Sequence, residues 1–161
     1  MQFSEQSRVW VYQSDRELSD QQAKKAAAQL NDFVAQWTAH NHQLKAKAEI
    51  RYNRFLILIV DESQAGASGC SIDKSVNFIK GLEQQLGINL LDRFNLAYKA
   101  GEKVLSAPRQ EFEQMLKEGR ITIDTIVFNN LVQTLEQLDT KWEVPFRDSW
   151  HVKLFGDWVA S

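Results

Sequence analysis

The order of elements along the chain predicts an α+β fold with a ferredoxin-like β-α-β-β-α-β core. Three observations carry that prediction. Four strand-type runs and two amphipathic helices occur in that order within residues 8–99. The first and third strand runs are the most apolar, and those are the positions that lie centrally in such a sheet. The second run alternates polar and apolar residues, as an outer, half-buried strand does.

Arg8, Val9, Trp10, Val11 and Tyr12 are rich in β-branched and aromatic types and form the first strand. Ser19 followed by Gln22 is a capping box. Behind it Ala23, Ala26, Ala27, Leu30, Phe33, Val34 and Trp37 recur at three- and four-residue steps, one apolar face of a helix ending near Ala39. In residues 47–52, Lys47, Glu49 and Arg51 point to water, and Ala48, Ile50 and Tyr52 point inward. A turn at Asn53 and Arg54 leads to residues 55–60, apolar on both faces. The loop 62–69 precedes a second helix over residues 71–86, with Ile72, Val76, Ile79, Leu82 and Leu86 inward and Gly87 as its stop. Residues 94–98 supply the fourth strand. The helices cover one face of the third strand, and a C-terminal segment or a partner chain must cover the other.

Residues 100–161 form a C-terminal α/β elaboration packed on the core, so that 1–161 is a single domain with no Gly/Ser/Pro-rich linker. Ser106 caps a helix with Pro108 in its first turn, Phe112, Met115 and Leu116 line its apolar face, and Gly119 ends it. Residues 125–128 form a short strand, Thr134 and Gln137 cap a brief helix, residues 142–145 are extended, and residues 149–155 make a last helical turn. Residues 157–161 are expected to be loose unless docked.

The chain has 161 residues, 43% hydrophobic and 25% charged, with five Trp and nine Phe to fill a core. A formal charge of -2 argues against nucleic acid as partner. One cysteine cannot close an internal disulfide and points to a reducing, cytoplasmic compartment. The polar first residues read as no signal peptide, and the longest apolar run, 55–60, is too short to span a bilayer.

The stretches FLILIVDESQAGASGCSIDKS (55–75), TIVFNNLVQT (125–134) and KWEVPFRDSWH (141–151) resemble a family of small uncharacterised Bacteroidetes proteins, over nearly the whole chain. The label "ABC transporter ATPase" is often attached to that family, which has no established activity, and it is the label that suggests nucleotide binding. A phosphate-binding loop of that kind reads G-x-x-x-x-G-K-[ST], because glycines let the backbone wrap the phosphates. Residues 68–75 end in Lys74-Ser75, but Ser68 and Asp73 replace the two glycines.

Cys70 is the main candidate for chemistry. At a helix start, free N–H groups and the helix dipole favour a thiolate, with His40, His42 or His151 as assistants. Ser68, Gly69, Cys70, Ser71, Lys74 and Ser75 are the residues that would hold a phosphate or carboxylate there. Asp61 and Glu62, at the end of a central strand, are candidate acid–base or metal-binding carboxylates, against a plain role as loop and cap residues. His40 and His42 present two rings on one side of an extended segment, a weak metal pair. Trp142, Trp150 and Trp158 give the tail an aromatic character suited to core or interface. No complete catalytic constellation and no cofactor motif emerges. The leading expectation is a non-catalytic binding or interaction domain, engaging a protein partner or a second copy through residues 61–75 with the aromatic tail nearby. A small thiol-dependent enzyme or anion-binding protein, and a nucleotide-binding protein, are the alternatives.

Overall fold

Local signals set most of the elements. In the computed structural model, which describes residues 2–156, Ser19 caps helix α1 (Asp20–Gln36) through the reciprocal bonds of a capping box with Gln22. Gly87, in the left-handed region at φ 65°, ends helix α2 (Gly69–Leu86). Strand β1 (Arg8–Gln13) precedes α1. A small hairpin, β2 (Thr38–Ala39) and β3 (His42–Gln43), follows it and leads into β4 (Lys45–Arg51) and β5 (Phe55–Asp61). After α2 come β6 (Asn95–Ala100), β7 (Lys103–Pro108), α3 (Arg109–Lys117), β8 (Ile126–Phe128), α4 (Leu135–Lys141) and β9 (Glu143–Pro145). A 3₁₀ turn (Phe146–Asp148) and α5 (His151–Leu154) close the described chain.

The fold is α+β with antiparallel sheets and five α-helices among the described residues. The four-stranded ferredoxin-like sheet is not completed. The first three expected strands stand as such a core requires, with the third between the first and second and antiparallel to both: Val9 faces Ile59, Gln13 faces Phe55, and Ala48 faces Leu58. The first sheet is β1-β5-β4, and the fourth expected strand, β6, joins a second sheet, β7-β6-β8-β9. Burial explains the difference. Leu56, Leu58 and Val60 pack under α1 and α2, whereas Phe55, Ile57 and Ile59 emerge on the opposite face. A single sheet with helices on one side would leave that face wet. The second sheet covers it: Ala97, Phe128 and Trp142, with Val132 and Leu138 beside them, close on Phe55, Ile57 and Ile59. The start of β1 is meanwhile bridged by residues 133–135, since Arg8 pairs with Thr134, the Val9 N–H donates to the Gln133 carbonyl and the Leu135 N–H donates to the Ser7 carbonyl. The outer face of the second sheet is covered by α3, the 3₁₀ turn and α5 through Phe112, Met115, Phe146 and Phe155. The result is four layers, with helices outside and two sheets between.

Two local expectations shift. Ser106 does not cap a helix. It lies in β7, where its hydroxyl accepts from Arg54 at 2.7 Å, and α3 starts only after Pro108. The β4–β5 turn centres on Tyr52 (φ 57°) and Asn53 (φ 49°), one residue earlier than expected. An aromatic residue with positive φ is strained by about 1 kcal/mol or more. Packing holds it there: the Tyr52 ring meets Phe128 edge-on at 5.7 Å, and its hydroxyl donates to Glu143 at 2.7 Å, which also pairs with Lys99. Tyr52 thus faces the second sheet, not the helix side. Among the described residues no helix is long and apolar enough to cross a membrane.

Candidate functional site

The last residue of β5, Asp61, is buried at 4% exposure. Its carboxylate accepts the Ser63 hydroxyl at 2.7 Å, the Ser63 N–H at 2.9 Å and the Ser4 N–H at 3.1 Å, and pairs with Lys45 at 3.3 Å. The Ser63 bonds, foremost, hold its carboxyl well below the usual carboxylate range. The group ties the N-terminal arm and the next loop to the end of β5. Glu62, half-buried, accepts the Ala67 N–H at 2.8 Å and lies 3.7 Å from Arg8. Both carboxylates are spent on anchoring the chain.

Residues 61–75 do not converge on one point. The segment expected to wrap a ligand is already helical from Gly69. Ser68 and Ser71 bond each other: the Ser71 N–H donates to the Ser68 hydroxyl at 3.1 Å, the Ser68 N–H donates to the Ser71 hydroxyl at 2.6 Å, and that hydroxyl donates to the Ser68 carbonyl. The Ser75 hydroxyl donates back to the Ile72 carbonyl at 2.6 Å. Ser71 and Ser75, four residues apart, face the core. Cys70 and Lys74, also four apart, fall on the neighbouring stripe and are exposed. The Trp37 indole N–H donates to the Ser71 carbonyl at 2.8 Å and pins this helix start to the end of α1. Gly69 stands open, with nothing near an added Cβ. The hydroxyls serve the helix, and the thiol and amine serve the surface. Ser68→Ala is therefore expected to cost about 1 kcal/mol, as other lost N-caps do, read as a lower midpoint in thermal unfolding. No change would show that the cap contributes nothing here.

The histidines are also apart. His40 (φ 51°) sits with Asn41 (φ 66°) in the tight β2–β3 turn, and His42 pairs across from Ala39. The segment reverses direction, so the side-by-side rings expected of an extended H-x-H pair do not follow. No group of three or more metal-type side chains occurs among the described residues. His151 is 1% exposed, stacked on Trp150 at 4.0 Å and on Phe112 at 6.1 Å, with Nδ1 2.5 Å from the Ser149 hydroxyl. Burial pushes its pKa down to about 4. It packs in the outer layer beyond the second sheet, while Cys70 lies on α2 outside the first. Both sheets separate the two, and the expected assistance of Cys70 by His151 is overturned. The aromatic tail is not beside residues 61–75 either: Trp142 fills the core between the sheets, and Trp150 packs with α3. Trp158 and residues 157–161 lie outside the described residues.

A polar seam at one end of the two-sheet interface went unread in the sequence. The Gln13 amide donates to the Asn95 carbonyl at 2.6 Å and accepts from the Asn130 amide at 2.8 Å, and Asn130 in turn accepts the Trp142 indole N–H at 2.9 Å. Buried Arg54 donates to Ser106 and to the Ser14 carbonyl, and burial draws its pKa down. Gln13, Asn95 and Ser106 come from β1, β6 and β7, Arg54 and Asn130 from turns, and no spacing rule links them. Phe94 and Leu131, the chain neighbours of Asn95 and Asn130, are 60% and 59% exposed. No family model, curated protein or solved structure matches the chain.

Proposed function

We propose that the chain is a non-catalytic binding or interaction domain. The supporting observation is the pair Phe94 and Leu131, large apolar side chains kept about 60% exposed at an end braced by the Gln13–Asn95–Asn130 bonds. Singly exposed apolar residues are ordinary, but two fixed to one rigid seam make a surface a partner can use. The test is capture of binding partners by the wild-type chain and by a Phe94→Ser, Leu131→Ser variant of equal melting temperature. Loss of captured protein in the variant is expected. Identical capture, or none by either, would count against the reading.

Exposure of Cys70 in the first turn of α2 favours one alternative, a thiol-dependent or anion-binding role. A Cys70 thiol that titrates like free cysteine would end it. Membership of the small Bacteroidetes family belongs to the same proposal, and the nucleotide-binding role its label suggests requires thermal protection by ATP with magnesium that Lys74→Ala abolishes.

A further inference from the structure

Sheet edges expose unpaired N–H and C=O groups, and proteins blunt them with cover, charge, proline or shortness. Three of the four outer edges of the two larger sheets are blunted. The start of β1 is bridged by residues 133–135. β4 carries Lys45, Lys47, Glu49 and Arg51 along its length. β9 has three residues and passes directly into the 3₁₀ turn.

β7 differs. Gly101 and Glu102 form a two-residue turn from β6, so Ala100 and Lys103 are a bonded pair and bonding alternates from there. Leu105 and Ala107 turn their backbone groups to β6, and Val104 and Ser106 turn theirs outward. Those outward groups have no partner among the described residues. The middle of the strand, Val104 to Ala107, has no charge, and Leu105 is 39% exposed. Pro108 stands at an outward position, where its missing N–H ends any added pairing.

We propose that β7 pairs antiparallel with β7 of a second copy of this chain, about a two-fold axis at Leu105, making one eight-stranded sheet. This deepens the interaction reading by naming one partner. Val104 of each copy exchanges two backbone bonds with Ser106 of the other. Leu105 then faces its own counterpart as a non-bonded pair, the arrangement that brings side chains closest. Glu102 of each copy comes beside Arg109 of the other, and neither has an ion-pair partner among the described residues. One strand pair buries less than the roughly 800 Å² per partner of a standard interface, so the association is weak.

A non-bonded antiparallel pair sets its Cα atoms about 4.5 Å apart, within disulfide range. In a Cys70→Ser background, Leu105→Cys is expected to oxidise to a covalent dimer at least about tenfold faster than Lys103→Cys, whose position faces Ala107 of the other copy. In sedimentation, Leu105→Lys and Leu105→Glu should each weaken self-association by about tenfold or more (roughly 1.4 kcal/mol), and mixing the two should restore it. Equal oxidation rates, or self-association indifferent to both substitutions, would overturn β7 pairing. That result leaves the interaction reading standing, because partner capture through Phe94 and Leu131 is measured separately.

Discussion

Trp142→Ala is expected to remove about 4 kcal/mol of stability, the range for deleting a buried tryptophan or phenylalanine ring. Trp142 is 1% exposed and meets Phe55 at 4.9 Å and Phe128 at 5.0 Å, so it touches both sheets at once. Two effects add. The ring leaves a cavity that two hydrogen-bonded sheets cannot close by sliding together. Asn130 also loses the indole donor on its Oδ1, and a stranded acceptor costs about 1–3 kcal/mol. Urea unfolding reads the sum: with a slope of about 2 kcal/mol per molar, the midpoint should fall by about 2 M. Trp142→Phe keeps most of the packing and loses the hydrogen bond, so its loss should be nearer the lower contribution alone. A loss below about 1.5 kcal/mol for Trp142→Ala would show that the aromatic core does not hold the sheets together.

That core marks where the sequence was readable and where it was not. Residues 55–60 announce a strand buried on both faces, and they are one. The caps at Ser19 and Thr134 and the stop at Gly87 stand where residue type places them, because each works through atoms three or four residues away. The partner of each strand is a different matter. Leu96, Ala97 and Tyr98 read equally well as the fourth strand of one sheet or the centre of a second. The choice depends on what covers Phe55, Ile57 and Ile59, which only the distant Phe128 and Trp142 decide. β7 was hidden for a local reason: Ser-Ala-Pro is a good helix start, and tertiary bonds from Arg54 and to the Asp15 carbonyl hold Ser106 in a strand instead. The candidate residues suffered likewise. Spacing placed Cys70 at a helix start correctly, but it could not say that Ser71 and Ser75 turn inward while Cys70 turns out.

His151 should make the protein lose stability in mild acid. In an unfolded chain its ring protonates near 6.5, whereas in the fold burial delays protonation to about 4. Between those values the unfolded state binds the extra proton, so lowering the pH draws the chain toward unfolding. The contribution is whole above about pH 7, declines through the window from 6.5 to about 4, and is gone below it. A gap of about 2.5 pH units corresponds to about 3 kcal/mol; the ring sits among Trp150, Phe112 and Phe146, with the Ser149 hydroxyl as its one bonded neighbour among the described residues. Asp61, whose depressed carboxyl also favours the fold above its unfolded value, loses its contribution only at lower pH, so the two are separable. Urea midpoints between about pH 7.5 and 4.5 should therefore fall steeply for the wild type. In His151→Gln, starting from a lower stability because the aromatic stack is lost, they should fall much less over the same range. Parallel curves would mean that the ring already finds water or a proton acceptor in the native state, and the sealed layer of α3 and α5 would then have to open at pH values where it is drawn closed.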